Sequence, residues 1–268
     1  MGFSISSSAL GGATGVKGAT TTLRVLLALA PVALPTTYLL YLKRSLAKRT
    51  IASARISPPD PLPASTTSAK SDDDVLPSDV QTAPEQYVVA RERVTSAPVA
   101  ISALRPELVA KDGELNGLLE AYLSATMQAF SWTPQALVMA RMGSSLRDPE
   151  EYRKTFDAEY LSSCRFEAGD RVCGVYVVRA RKGGRVVLDL APPAGWKGPV
   201  VTGALNVGFD REGEDGVRFV NETVLWRRKG EKPTMLEGKV GRWLHTLMAS
   251  WLVVKGIEAV TGGKVKSG

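Results

Sequence analysis

Glu222 is the first residue whose type and placement could do chemistry. It lies in VRFVNETVLW, residues 217–226. Strand alternation puts Val217, Phe219, Asn221, Thr223 and Leu225 on one face, and Arg218, Val220, Glu222, Val224 and Trp226 on the other. A carboxyl group between Val220 and Val224 is unusual on so apolar a face, and a carboxyl buried in such a place suits general acid or base work. The structural alternative is an ion pair with a neighbouring-strand arginine such as Arg179 or Arg185. His245 is the chain's single histidine, so any nucleophile–histidine–carboxylate relay would have to use it. On a helical wheel it falls at the edge of an apolar stripe, where a base could face a cavity mouth or simply meet water. Tyr176 shares a strand face with Val172 and Val178 and is either core or a hydroxyl offered to a ligand. Asp189, on one face with Arg185 and Val187, is a further carboxylate with the same two readings.

Several chemistries find no support. There is no glycine-rich dinucleotide turn, no phosphate-binding loop and no G-x-S-x-G elbow. One histidine and two cysteines do not spell a metal site, so neither metal nor cofactor is expected. Cys164 and Cys173 are too few for a disulfide framework and are expected as free thiols. The net charge of +7 is not spread over the chain. Residues 1–59 hold no acid, and their Lys17, Arg24, Lys43, Arg44, Lys48, Arg49 and Arg55 account for the whole surplus. The remainder is neutral, which removes the usual electrostatic case for nucleic-acid binding.

The elements that would position these residues begin near Gln86. Residues 86–95 predict a strand. Residues 114–130 predict a helix, with Leu115, Leu118, Leu119, Tyr122, Leu123, Met127 and Phe130 recurring at three and four. A second helix is expected over 132–142 with Pro134 in its first turn, and a shorter one over 148–160. Strands are predicted over 171–180, 185–190, 199–209 and 216–228, the first two joined by the turn Lys182-Gly183-Gly184. A long helix over 234–263 closes the domain, started by Thr234 and Glu237 as a capping box and stopped by Gly262-Gly263. Its predicted inner stripe is Val240, Trp243, Leu244, Leu247, Met248, Trp251 and Val254, with Arg242, Thr246, Ala249 and Val253 outward. Trp243, Met248 and Trp251, with Trp226 and Tyr176, are the candidate ligand-contacting side chains.

The N-terminal part reads differently. Residues 1–22 are rich in small and hydroxyl residues and are expected to lack structure. Residues 25–42 carry no charge, and with Leu23-Arg24 in front they reach the ~20 residues that span a bilayer. A single transmembrane helix is expected over 23–42, with the basic residues after it placing the domain in the cytosol. A mitochondrial targeting segment, and hence a mitochondrial membrane, is the alternative. Residues 43–85, basic and then rich in Pro, Ser and Asp, read as a tether, and residues 263–268 as a tail. Asn221-Glu222-Thr223 is a glycosylation sequon inside an expected strand, and would matter only in a lumen.

Strand, helices, a run of antiparallel strands and a long last helix is an order that resembles the helix-grip arrangement of START-like and polyketide cyclase-like domains. The resemblance covers residues 86–262 and rests on element order. It implies an α+β fold in which a curved antiparallel sheet wraps the C-terminal helix and encloses an apolar cavity. An NTF2-like cone is the runner-up, and the terminal helix counts against it. The resemblance implies binding of a hydrophobic small molecule such as a lipid, polyketide or terpenoid. With the expected anchor and tether, the chain reads as a membrane-anchored binding domain, with specialised-metabolite biosynthesis as one setting. Two alternatives stay open: a cyclase or isomerase on the same scaffold, using Glu222 with His245 or Tyr176, and a non-enzymatic membrane adaptor for a protein partner.

Overall fold

The computed structural model describes residues 37–57, 75–110 and 114–262. The chain divides into two units, Met1–Ser45 and Leu46–Gly268. In the first, the described residues 37–45 are helical. The expectation of a membrane-spanning helix is overturned, because no helix among the described residues is long and apolar enough to cross a membrane. The helix that contains residues 37–42 runs on into Lys43 and Arg44, and residues 23–36 lie outside the described residues. The single-pass topology falls with the span. The expectations for residues 1–22 and 263–268, and for the middle of the tether (58–74), also lie outside the described residues.

The second unit is α+β. Its eight described strands are β1 (Thr50–Ser57), β2 (Tyr87–Ser96), β3 (Val99–Ala100), β4 (Arg171–Val172), β5 (Tyr176–Lys182), β6 (Arg185–Leu190), β7 (Gly203–Glu212) and β8 (Gly216–Arg228). They form one antiparallel sheet in the order β1-β2-β8-β7-β6-β5-β4, with the short β3 also paired to β8. The helices are α1 (Ser78–Thr82), α2 (Leu118–Ser131), α3 (Pro134–Met142), α4 (Pro149–Lys154), α5 (Ala158–Ser163) and α6 (Lys239–Thr261). A curved antiparallel sheet with a C-terminal helix is compatible with a helix-grip-like fold.

Alternation sorts the sheet into two faces. Val94, Val178, Leu188, Val207 and Phe219 meet α2 and α6 in the main core. On the other face, Val224 and Trp226 pack with Tyr87, Ala204, Val75 and Val80 in a smaller cluster. Val75 and α1 therefore belong to the packed domain although they lie in the expected tether. So does β1, which pairs with β2 from Thr50 opposite Ser96 to Ser57 opposite Val89. Between its first and last residues β1 is exposed, so ladder hydrogen bonds rather than burial hold this edge strand.

The terminal helix starts later than its sequence predicts and faces differently. The Thr234–Glu237 exchange is made, with Glu237 Oε1 accepting from the Thr234 N–H at 2.7 Å and from its hydroxyl at 3.1 Å. It closes a turn, however, and α6 begins at Lys239 after Gly238. Val240 and Leu244 are exposed, whereas Ala249 and Val253, expected outside, are buried. The second half of α6 is covered on more than one side. Gly256 shows why: a Cβ there would lie 2.4 Å from Tyr122 Cε2 and 2.6 Å from Thr126 Oγ1 on α2. Only a glycine lets the two helices approach so closely. The Gly262 cap is as expected, with φ 60°.

Candidate functional site

The polar residues that meet under α6 start from the β2–β8 register, which sets Glu92 directly opposite Thr223. Both point to the helix-bearing face, among Ala90, Val94, Phe219 and Leu225. His245 comes down from the second turn of α6 between them. Its Nδ1 is 3.3 Å from Glu92 Oε1, and its Nε2 is 3.5 Å from Thr223 Oγ1. The Glu92 side chain is 1% exposed and that of His245 11%. Among the described residues neither Glu92 oxygen has a hydrogen bond, nor does the His245 Nδ1 that stands 3.3 Å from this fully buried carboxyl. Thr223, Asn221, Thr126 and Tyr176 line a cavity of about 30 Å³ beside His245, with Met248 and Leu252 closing it. That is room for roughly one water molecule. Among the described residues, α2 and α6 fill the space over the sheet, where the helix-grip resemblance implies a large enclosed cavity, with Tyr122, Met127, Phe130, Leu252 and Val253.

A larger hollow opens on the outside of the same wall. It holds about 470 Å³ and lies between α3 and the β6–β7 loop, lined by Val138, Met139, Leu190, Trp196, Val201 and Tyr176. Local chemistry fixes its walls. Thr133 caps α3, its hydroxyl accepting from the Ala136 N–H at 3.2 Å, and Pro134 takes the first helical position. Tyr152 donates its hydroxyl to the Met139 carbonyl at 3.2 Å, tying α3 to α4. The indole of Trp196 donates to the Pro199 carbonyl at 3.2 Å and so holds the loop in shape. Val138 and Val201 stand at the mouth, 59% and 37% exposed. Tyr176 borders both this cleft and the inner cavity, stacked edge-on against Phe130 at 5.6 Å. Burial pushes its hydroxyl well above the ordinary tyrosine range, so at neutral pH it stays protonated and can donate. A separate hollow of about 570 Å³ near Tyr160 and Asp170 is lined by charges of both signs together with Leu146, Tyr152 and Pro193.

Glu222 stands elsewhere. It is buried on the outer face, with Arg91 Nη1 at 3.9 Å from its Oε1 and Asn206 Nδ2 donating to its Oε2 at 3.4 Å. A groove of about 310 Å³ runs past it, lined by Arg55, Arg91, Arg93 and Ser53. Beside the groove, Arg185 pairs with Asp210 through two nitrogens. An arginine partner was anticipated, though from β5 or β6 rather than β2. The sheet separates Glu222 from His245 and Tyr176, so the three cannot act on one reacting group. Trp226 shares the outer face with Glu222 and packs against Val75 and Val80. Met248 lines the inner cavity and Trp251 packs against the main core, while Trp243 lines none of these hollows. Asp189 pairs with Arg179 at 3.2 Å, and burial outweighs that arginine to hold its carboxyl above the usual range. Both cysteines are free thiols.

Glu92 is the residue that sequence reasoning passed over. The signal was present, since in Ala90-x-Glu92-x-Val94 it interrupts an apolar alternation just as Glu222 does. Among the described residues no group of acidic, histidine or cysteine side chains could hold a metal ion. Comparisons with family models, with curated proteins and with solved structures give no match.

Proposed function

We propose that this domain binds a small apolar molecule, of lipid, polyketide or terpenoid chemistry, in the cleft between α3 and the β6–β7 loop. The observation that carries this reading is the cleft itself: about 470 Å³, of ligand size, almost wholly apolar, with Val138 and Val201 left exposed at its mouth. A kinship with START-like and polyketide cyclase-like domains is part of the same reading, and the sheet with its C-terminal helix supports it. The binding place differs from the one that resemblance implies, lying outside the helix-packed core rather than within it. The test is a titration of the full chain with dansyl-undecanoic acid, read by energy transfer from tryptophan, with Trp196 in the wall as the near donor. Saturable binding weakened at least ~10-fold by Val138→Asp, a cost of about 1.4 kcal/mol, is the expected result. No saturable binding, or equal binding by the variant, removes the proposal. A second reading, an adaptor surface for a protein partner, draws on Trp132 and Leu137. They are strongly exposed in the segment that carries Pro134 and Val138.

A further inference from the structure

The Glu92–His245–Thr223 contacts have a definite order: carboxyl on Nδ1, hydroxyl on Nε2. Among the described residues Nδ1 and both Glu92 oxygens make no hydrogen bond as they stand. A small rotation that lets the carboxyl accept from Nδ1–H would fix the imidazole tautomer and leave the Nε2 lone pair facing the hydroxyl. That is the arrangement of an orienting acid, a base and a nucleophile, recognised by geometry and role rather than by position in the chain. Distances of 3.3 and 3.5 Å are long for such bonds, which tighten when a reacting group is seated. The surroundings fit the same role. Asn221, two residues before Thr223 on the same strand face, lines the cavity with a side-chain amide. The cavity, about 30 Å³, admits a carbonyl group but not a ring, which favours acyl transfer over cyclisation.

The geometry points to Thr223 as an acyl-accepting nucleophile, with His245 as its base and Glu92 as the group that orients the base, acting on esters of apolar acids. Thr223 Oγ1 adds to the ester carbonyl carbon, and its proton passes to His245 Nε2. The Asn221 amide donates to the oxyanion. The tetrahedral intermediate expels the alcohol, which leaves with the proton from His245, and Thr223 carries the acyl group. Water then adds to that acyl ester, giving a proton to His245. Cleavage of the Oγ1–acyl bond releases the acid, and Thr223 takes the proton back. Ester and water become acid and alcohol, with no oxidant, metal or cofactor in the balance. The apolar preference rests on the proposed cleft reading: the acyl chain would lie in the outer cleft, with Tyr176, which borders both spaces, as the partition it passes.

The test treats the full chain with an ethyl fluorophosphonate and a dodecyl fluorophosphonate, reading intact mass and then the modified peptide. The expected result is one adduct on Thr223, absent in Thr223→Val and retained in Thr223→Ser. Labelling should be at least tenfold slower in His245→Gln, with the near-ultraviolet circular dichroism of every variant unchanged. Glu92→Gln should slow labelling and shift its pH profile, which a purely structural carboxyl would not do. No adduct on residue 223 with either reagent, or equal labelling in a folded His245→Gln variant, overturns the triad. An adduct formed equally fast by both reagents keeps the triad and removes the apolar acyl preference drawn from the cleft. Reaction at least tenfold faster with the dodecyl reagent, lost in Val138→Asp, supports both.

Discussion

Removing the imidazole of His245 should cost far more than removing a surface histidine, because of what it leaves behind. The Glu92 side chain is 1% exposed, His245 Nδ1 stands 3.3 Å from it, and among the described residues neither carboxyl oxygen has a hydrogen bond to fall back on. Leaving a buried carboxyl without its polar neighbour costs about 1–3 kcal/mol of desolvation. His245→Leu should therefore lower the melting temperature of a unit this size by about 2–12 °C, at ~2–4 °C per kcal/mol. Glu92→Leu leaves only a rim imidazole without its partner and should cost about 1–2 kcal/mol. The double variant, with both polar groups replaced by leucine, should recover most of the loss, since exchanging both members for apolar groups is close to neutral. The assay is equilibrium urea unfolding at neutral pH of the four proteins as a double-mutant cycle. A loss below about 1 kcal/mol for His245→Leu, or a double variant no more stable than that single one, would refute the reasoning.

Other expectations are simpler. Gly256→Ala should destabilise by about 1–2 kcal/mol although alanine gains ~1 kcal/mol in helix propensity, because the new Cβ meets Tyr122 and Thr126 at the α2–α6 crossing. Thermal unfolding checks this, and an unchanged or raised midpoint contradicts it. Glu237 accepts two bonds from Arg227, at 2.9 and 2.7 Å, and these hold its carboxyl below the usual range. Its contribution is thus fully present above the unfolded carboxyl pKa and is lost as pH falls through the lower folded value. Glu237→Gln should cost about 1–2 kcal/mol at pH 7, and the difference from wild type should close below ~pH 4. A gap that persists in acid would mean that the charge was not its source. Burial pushes the Cys164 thiol up to about 11, and the buried Cys173 higher still. Native protein at pH 8 should therefore react slowly with a chromogenic disulfide and show two fast thiols only after unfolding. A fast thiol in the native state would contradict that burial.

The order of elements was legible wherever a segment carries its own punctuation. Residues 185–190 and 216–228 coincide with β6 and β8 because glycine turns open both and a proline pair or a glycine turn follows them. Residues 171–180 look continuous, yet the strand breaks at Cys173-Gly174, where Cys173 takes φ 46° and Gly174 φ 80°. The β1 strand was hidden because its sequence, TIASARIS, has no apolar face, and only the partner strand explains it. The phasing of α6 failed for a related reason. A single stripe averages over the helix, whereas α6 projects its first turns outward and buries its second half between α2 and the sheet. The site divided along the same line. His245 and Tyr176 could be named from one segment each, but Glu92 acquires its meaning only through the β2–β8 register and the descent of α6. Glu222 was an oddity of the right kind on the wrong face of the sheet.

The apolar cleft is the central claim, and methionine-methyl NMR tests it most directly. The chain has six methionines, of which Met139 and Met142 line the cleft, Met127 and Met248 the inner cavity, and Met235 neither. Titrating [13C-methyl]methionine-labelled full chain with decanoic acid should move the Met139 and Met142 signals saturably and leave Met235 in place. Unmoved Met139 and Met142 signals, or shifts confined to Met127 and Met248, would contradict binding in the cleft.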